Sequence, residues 1–368
     1  MGDNNPHLRL LTAVPVCDGH DSAINTINLE LIKAGVEVIY LGFHRPAKDI
    51  VRSAIQEGVA AVGLSSYNGG HTEFFGQVVK ELREHGAGHI GVFGGGGGTI
   101  TFDDEKEMKA LGVDKIFFAG TPLDGMMEWV KTTYGDGRRA ENPEPGSDLA
   151  IAQGILDGDA GEGESSTPVI GITGPGGAGK TTLIDELVLR FRKNRDGRVA
   201  ILSHDPSIIG NGALLGDRAT MIHAQDDRVF MHSLATRGQA GGLGPQTQSA
   251  LRYLKTCGFD LIIVETVGTG QEALPFAEDV DCRVFVMSPE YGSRLQLQKI
   301  AMLDLADVVV VNKSDRAGAA TARNEVEQRV GMNRSAEQRV MTTCAKKHRD
   351  TGVDALFETL MAKVEATV

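Results

Sequence analysis

The sequence predicts an α/β protein of two domains in tandem, and three observations carry that prediction. From Leu8 to about residue 134, short apolar strand patterns alternate with helical ones, the signature of a doubly wound parallel sheet. At Gly174-Pro175-Gly176-Gly177-Ala178-Gly179-Lys180-Thr181 a glycine loop lies between a strand pattern and a helix pattern, opening a second α/β unit. Between the two, residues 135–167 are rich in Gly, Pro, Ser, Asp and Glu and poor in large apolar residues. That stretch reads as a flexible acidic linker with one short helix at Leu149–Leu156. The expected division is a first domain 1–134, a linker 135–167 and a second domain 168–368.

The elements follow in order. Leu8 to Cys17 is a strand pattern broken by Asp18-Gly19-His20-Asp21. Ser22 to Ala34 carries Ala23, Ile24, Ile27, Leu31 and Ile32 at helical spacing, and Gly35 ends it. Strands are expected at Val36–Leu41, Ala60–Ser65, Ile90–Phe93 and Lys115–Phe118, with helices near Ala47–Gln56, Glu73–Glu84 and Asp104–Leu111 between them. The result is a flavodoxin-like sheet whose ligand edge lies at the carboxyl ends of its strands. Asp18-x-His20, Ser65-Ser66-Tyr67, His71 and Gly94 through Gly98 fall at that edge. In the second domain the strands Pro168–Thr173, Val199–Ser203, Leu261–Val264, Arg283–Met287 and Val308–Val311 each deliver a polar segment at their carboxyl end.

Composition narrows the function. A net charge of −12 without a basic stripe argues against nucleic acid or an anionic membrane as partner. The four cysteines, Cys17, Cys257, Cys282 and Cys344, form no C-x-x-C pair and read as reduced thiols. No apolar run approaches the ~20 residues of a membrane span, and Met1 to Pro6 is too polar for a signal peptide. The expected location is cytoplasmic.

The glycine loop has the G-x-x-x-x-G-K-[ST] spacing of a P-loop. Its backbone N–H groups at Gly174, Gly176, Gly177, Ala178 and Gly179 would form an anion nest at a helix N-terminus. Lys180 would reach the β- and γ-phosphates, while Thr181, with Thr182 beside it, would hold Mg²⁺. Asn312-Lys313-Ser314-Asp315 then selects the base. The Asp315 carboxylate suits guanine N1–H and its 2-amino group, a donor pair adenine lacks, so the nucleotide is GTP. Asn312 and Lys313 would brace base and P-loop.

Two resemblances sharpen these readings. Asp18-x-His20-x-x-Ala23, Ser65-x-Tyr67 and Gly94-Gly95-Gly96 resemble the cobalamin-binding signature of adenosylcobalamin-dependent acyl-CoA mutases, with Ala23 for Gly and Tyr67 for Leu as departures. The resemblance implies His20 as cobalt ligand, with Asp18 accepting its other ring N–H. It also implies Ser65 on the displaced base, and Tyr67 and Gly94–Gly96 along the nucleotide tail. Corrinoid methyl carriers resemble this domain too but carry a helical cap ahead of it, for which the eight or so leading residues leave no room.

In the second domain, Asp205-Pro206-Ser207, Leu214-Leu215-Gly216-Asp217-Arg218 and Glu265-Thr266-Val267-Gly268-x-Gly270-Gln271 resemble the SIMIBI-type G-proteins that chaperone methylmalonyl-CoA mutase. Ser288-Pro289-Glu290-Tyr291-Gly292 resembles more closely the G-domain of fused isobutyryl-CoA mutases, which also place the cobalamin domain first. By position this implies Thr181, Asp205, Asp217 and Glu265 at or around Mg²⁺, with Asp205 and Asp217 on switch segments. Lys180, Glu265 and Gln271 would serve GTP hydrolysis, and Ala345 would complete the guanine site, where Cys344 departs from the usual Ser. Glu290–Lys299 resembles a third switch. The fused enzymes continue into a (β/α)₈ barrel of about 250 residues, for which no stretch remains here. The expected partner is therefore a separate large barrel subunit of an acyl-CoA mutase. The resemblance also allows an adenosyltransferase, and leaves a homodimer open. A cobalamin carrier using GTP only as regulatory ligand, a methyltransferase component, and a piece of a longer fused mutase are the alternatives.

Overall fold

The computed structural model describes residues 8–16, 22–67, 69–96, 98–159, 161, 166–209, 212–239, 241–268, 279–291, 302–332 and 338–366. The chain folds into two compact units: residues 1–158 with 206–219, and residues 159–205 with 220–368. Strands β1 (Arg9–Ala13), β2 (Glu37–Tyr40), β3 (Ala61–Ser65), β4 (Gly91–Gly96) and β5 (Lys115–Phe118) belong to the first unit. Strands β6 (Val169–Thr173) and β7 (Val199–Asp205) belong to the second. The chain then returns to the first unit for β8 (Ser207–Ile209) and β9 (Gly212–Leu215). It completes the second with β10 (Val229–Ala235), β11 (Leu261–Glu265), β12 (Cys282–Met287), β13 (Val308–Val311) and β14 (Arg339–Thr342).

In the first sheet the order is β5-β4-β3-β1-β2-β9-β8. Its first five strands pair in parallel, in the 2-1-3-4-5 order of a flavodoxin-like sheet, with the ligand crevice expected where β1 and β3 diverge. Burial on both faces explains why these strands read as apolar runs rather than alternations; all five residues of β1 and of β3 are buried. Leu10, Val38, Ala61 and Phe93 lie in this core. Helices cover it through local signals. Phe102–Leu111 starts on a capping box in which Thr101 Oγ1 accepts from Asp104 N (3.2 Å) and Asp104 Oδ2 accepts from Thr101 N (2.7 Å). The second sheet, order β10-β7-β11-β6-β12-β13-β14, is wholly parallel, with Ile170, Ile201, Ile263, Val284 and Val310 in its core.

Three expectations are corrected. The helix inside the expected linker runs Asp148–Asp157 and is part of the first unit, not a flexible spacer. Ser147 caps it, Leu149, Ile151, Ala152 and Ile155 are buried, and Gln56 Nε2 donates to Asp148 Oδ2 at 2.7 Å. Residues 206–219, expected in the second domain, extend the first unit's sheet instead. Gly94–Gly96, expected as loop, are strand residues of β4. A helix at Leu123–Tyr134 that the pattern left unmarked closes the first unit over Met126 and Val130.

Candidate functional site

At the carboxyl edge of the first sheet lies a cavity of about 360 Å³. Ser65, Tyr67, Gly94, Gly95 and Gly96, all expected from sequence, line it. So do Ala23, the signature position that departs from Gly, and residues the sequence reading passed over: Thr12 of β1, Ile24 and Ile27 of the helix Ser22–Lys33, and Phe93 and Phe117. Thr12 carried a signal, being the one hydroxyl in Leu10-Leu11-Thr12-Ala13-Val14. It is buried, and its Oγ1 has no hydrogen-bond partner among the described residues.

The glycines are needed for a reason other than ligand approach alone. A Cβ on Gly94 would sit 2.2 Å from Leu64 O, and one on Gly96 would sit 1.8 Å from Ser66 O. The β3–β4 edge is thus drawn together by backbone contact, and Ser66 N donates to Gly95 O at 2.9 Å. This mostly apolar slot, with the buried hydroxyls of Thr12 and Ser65, suits a flat heteroaromatic group carrying a polar edge. Asp18 and His20 lie outside the described residues.

In the second unit, β6 delivers the glycine loop and the helix Lys180–Asn194 leaves it. Gly174 turns at φ 148°, where a Cβ would meet Val286 O at 1.9 Å, so only glycine can leave β6 beside β12. Gly176 N donates to Gly268 O (3.1 Å), tying the loop to the Glu265–Gly268 segment. Lys180 is buried and its Nζ donates to Gly174 O at 3.1 Å, folded over the loop it serves. Thr181 Oγ1 donates to Glu265 Oε1 at 2.9 Å. Buried carboxylates thus end β7 at Asp205 and β11 at Glu265. Among the described residues no three His, Cys, Asp or Glu side chains gather to hold a metal ion by themselves.

His204 braces this edge. Its Nδ1–H donates to Glu265 O (2.8 Å), and its Nε2 sits 2.7 Å from Thr247 Oγ1. Full burial holds its pKa down to about 4, with the bond to the Glu265 carbonyl pulling the other way.

After β13, Asn312 joins three loops. Its Nδ2 donates to Ala178 O (3.0 Å), and its Oδ1 accepts from Thr343 Oγ1 (3.0 Å) and Ala345 N (3.1 Å). Lys313 sits at φ 57° with Nζ donating to Gly177 O (2.5 Å). Asp315 accepts from Lys346 Nζ (2.5 Å) and from the Cys344 thiol (3.2 Å), which lower its pKa to about 2. The thiol therefore occupies the place of the expected serine hydroxyl, so the departure at Cys344 leaves the acceptor geometry supported.

Asp217 lies in the stretch that joins the first unit, apart from the other residues expected around Mg²⁺ in unit assignment. Gln271, and the expected third switch beyond Tyr291, lie outside the described residues. Glu290 sits in the middle of the short turn Pro289–Tyr291 and pairs with Arg316; bonds from Ser288 first, then Arg316, hold its carboxyl down to about 2.

Together these features define a P-loop nucleotide-binding protein carrying a second, cavity-bearing doubly wound unit. The family profile "Methylmalonyl Co-A mutase-associated GTPase MeaB" matches residues 141–367, and that of the "B12 binding domain" matches residues 8–124. The chain belongs to the MeaB family of mutase-associated GTPases, fused behind a cobalamin-binding domain. The fused isobutyryl-CoA mutase of Cupriavidus metallidurans is 38% identical over 98% of this chain and 36% of its own length. That of Geobacillus kaustophilus is 38% identical over 96% of this chain, again 36% of its own length. The mouse mitochondrial methylmalonic aciduria type A homolog is 36% identical over 42% of this chain and 37% of its own. The chain thus spans little more than a third of these relatives. Among its described residues no helix is long and apolar enough to cross a membrane.

Proposed function

We propose that the chain binds adenosylcobalamin in its first unit and hydrolyses GTP with Mg²⁺ in its second, serving an acyl-CoA mutase. GTP turnover would gate loading of the cofactor or protect it. The observation that carries the reading is the wiring of Asn312, which ties the guanine-reading Asp315 segment and the Ala345 loop to the phosphate loop. Such wiring fixes base and phosphate sites at one spacing, as a purine triphosphate requires.

In this reading the backbone of Gly174, Gly176–Gly179 and Thr182 cradles the phosphates. Lys180 neutralises them, and Thr181 with Asp205 and Glu265 holds Mg²⁺. Lys313 and Ala345 flank the base that Asp315 reads. Glu265 and Gln271 position the attacking water. In the first unit His20, oriented by Asp18, would ligate cobalt, and the slot at Ser65, Tyr67 and Gly94–Gly96 would take the nucleotide tail. The cofactor supplies a homolysable cobalt–carbon bond; the chain's own residues hold it and exclude water. The partner is a barrel-type mutase subunit, whether a separate chain or the remainder of a longer one. With Cys257, Cys282 and Cys344 as free thiols, the compartment proposed is the reducing cytoplasm.

The test is multiple-turnover phosphate release with GTP and ATP, followed by affinity capture of partners in the presence of adenosylcobalamin. Turnover of GTP over ATP and capture of a barrel subunit are expected. Binding of GTP without turnover would instead favour the carrier reading.

A further inference from the structure

The helix that leaves the phosphate loop, Lys180–Asn194, shares an apolar core with the helix Thr351–Glu365: Leu183, Leu187 and Phe191 on one side, Val353, Leu356 and Leu360 on the other. Two charged residues of the first helix are nevertheless buried, Glu186 at 2% exposure and Arg190 at 6%. A buried ion pair adds little stability over apolar residues of the same volume, so its use lies in what it holds.

It holds the far end of the loop that follows β14. Glu186 Oε2 accepts from Arg190 Nη1, and Glu186 Oε1 accepts from His348 Nδ1–H at 2.5 Å. Arg190 Nε donates to Asp354 Oδ1 (2.8 Å), and its Nη2 donates to the carbonyl oxygens of His348 and Asp350, each at 3.4 Å. Asp350 Oδ1 in turn accepts from Val353 N (3.0 Å), capping the helix Thr351–Glu365, and from Cys344 N (3.0 Å).

The near end of the same loop, residues 343–346, is the part bonded to Asn312 and Asp315. The loop is therefore fastened twice to one rigid rod. Asn312 ties it to Ala178 O, just ahead of the helix. Glu186 and Arg190 tie it about 9 and 15 Å beyond Lys180, at 1.5 Å per residue. Beside this second fastening opens a cavity of about 390 Å³ bounded by Arg190, His348, Arg349 and Asp354. The loop end thus has space to move into once the cluster is broken.

We propose that Glu186 and Arg190 are positioning residues for the base, holding the 343–350 loop where it selects guanine. The inference rests on the nucleotide reading given above. Neither residue bonds to Asp315 itself; both act through Cys344, Ala345 and Lys346. With the loop end released, the thiol and the ammonium that support the Asp315 carboxylate leave their places. Recognition of the guanine 2-amino group, which hypoxanthine lacks, then weakens, while the phosphate loop keeps its own backbone geometry.

The test is displacement of a ribose-labelled fluorescent GDP from the full chain by GDP, IDP and tripolyphosphate, each with Mg²⁺. The unaltered chain is expected to prefer GDP to IDP about tenfold or more, the worth of one hydrogen bond to a charged group. In Glu186→Gln/Arg190→Met, which keeps the buried pair's charge balanced, the preference falls below about threefold. His348→Ala, at a side chain 69% exposed, lowers it about two- to threefold. His348→Asn, whose amide N–H reaches where Nδ1–H does, restores it. Tripolyphosphate affinity stays within about twofold throughout, which a merely structural loss would not give. Should the double variant fail to fold, the two His348 variants decide. Variants that keep the full preference, or that lose GDP and tripolyphosphate binding together, overturn this inference alone. An unaltered chain that binds GDP no better than IDP overturns the guanine reading of Asp315 and this inference with it.

Discussion

Replacing Arg218 alone with Met should unfold the first unit far more easily than its place in a short turn suggests. The side chain is wholly buried and gives bonds to Ser53, Gln56 and Glu57. Glu57 is itself shared: its Oε2 accepts from Arg9 Nη2 (2.9 Å), while Arg9 Nη1 donates to Glu37 Oε2 (2.8 Å). The buried set therefore holds two guanidinium groups and two carboxylates. Methionine leaves two carboxylates against one guanidinium, and removing one member of a buried pair costs about 3–5 kcal/mol. Burial already pulls the Arg218 pKa down from its ordinary value, against Glu57, which raises it. Urea unfolding followed by Trp129 fluorescence reports on this unit, since Trp129 packs edge-on to Phe93 and Phe117 in its core. Adding Glu57→Gln to Arg218→Met restores the charge balance and should recover about 1–3 kcal/mol of the loss. A single variant within about 1 kcal/mol of the unaltered protein, or a double variant costing the sum of the two singles, would refute the reasoning.

Other expectations follow from the sites. Asp315→Asn exchanges a carboxylate acceptor for a mixed amide. It should weaken GTP binding by about 2–3 kcal/mol, roughly 30- to 150-fold, and favour xanthosine triphosphate, as competition binding would read. His204 is held neutral, its pKa lowered from 6.5 to about 4, so the unfolded chain takes up the proton first. The second unit should therefore lose about 3 kcal/mol as pH falls from 6.5 to 4, a limb that His204→Gln flattens in circular-dichroism melts. Thr12→Val removes a buried hydroxyl that has no partner among the described residues. It should stabilise the ligand-free first unit by about 1 kcal/mol in the urea assay; a loss of stability would count against the placement of Thr12.

Much of this architecture is written locally. The alternation of strand and helix patterns gave the first sheet, because strands buried on both faces stay apolar while helices keep a 3.6 period. The P-loop and Asn312–Asp315 were legible because their chemistry needs fixed residue types at fixed spacing. What escaped depends on partners distant in sequence. β8 and β9 are three and four residues long, and a short strand does not say which sheet edge will take it. Arg218 in a Gly-Asp-Arg turn reads as a surface residue, and only Ser53, Gln56 and Glu57 make it a core one. The helix Asp148–Asp157 could be seen, but its packing on the helix Ala47–Glu57 could not. There a Cβ on Gly58 would lie 2.7 Å from Leu156 Cδ1. Thr12 stood out only once the cavity around it was known.

The account rests most heavily on a corrinoid held by the first unit with its own base displaced. The direct measurement is the visible absorption spectrum of adenosylcobalamin bound to the full chain, compared with that bound to His20→Ala. The account predicts a base-off, histidine-ligated spectrum that His20→Ala loses while GTP turnover is spared. A base-on spectrum, or one that His20→Ala leaves unchanged, would contradict it.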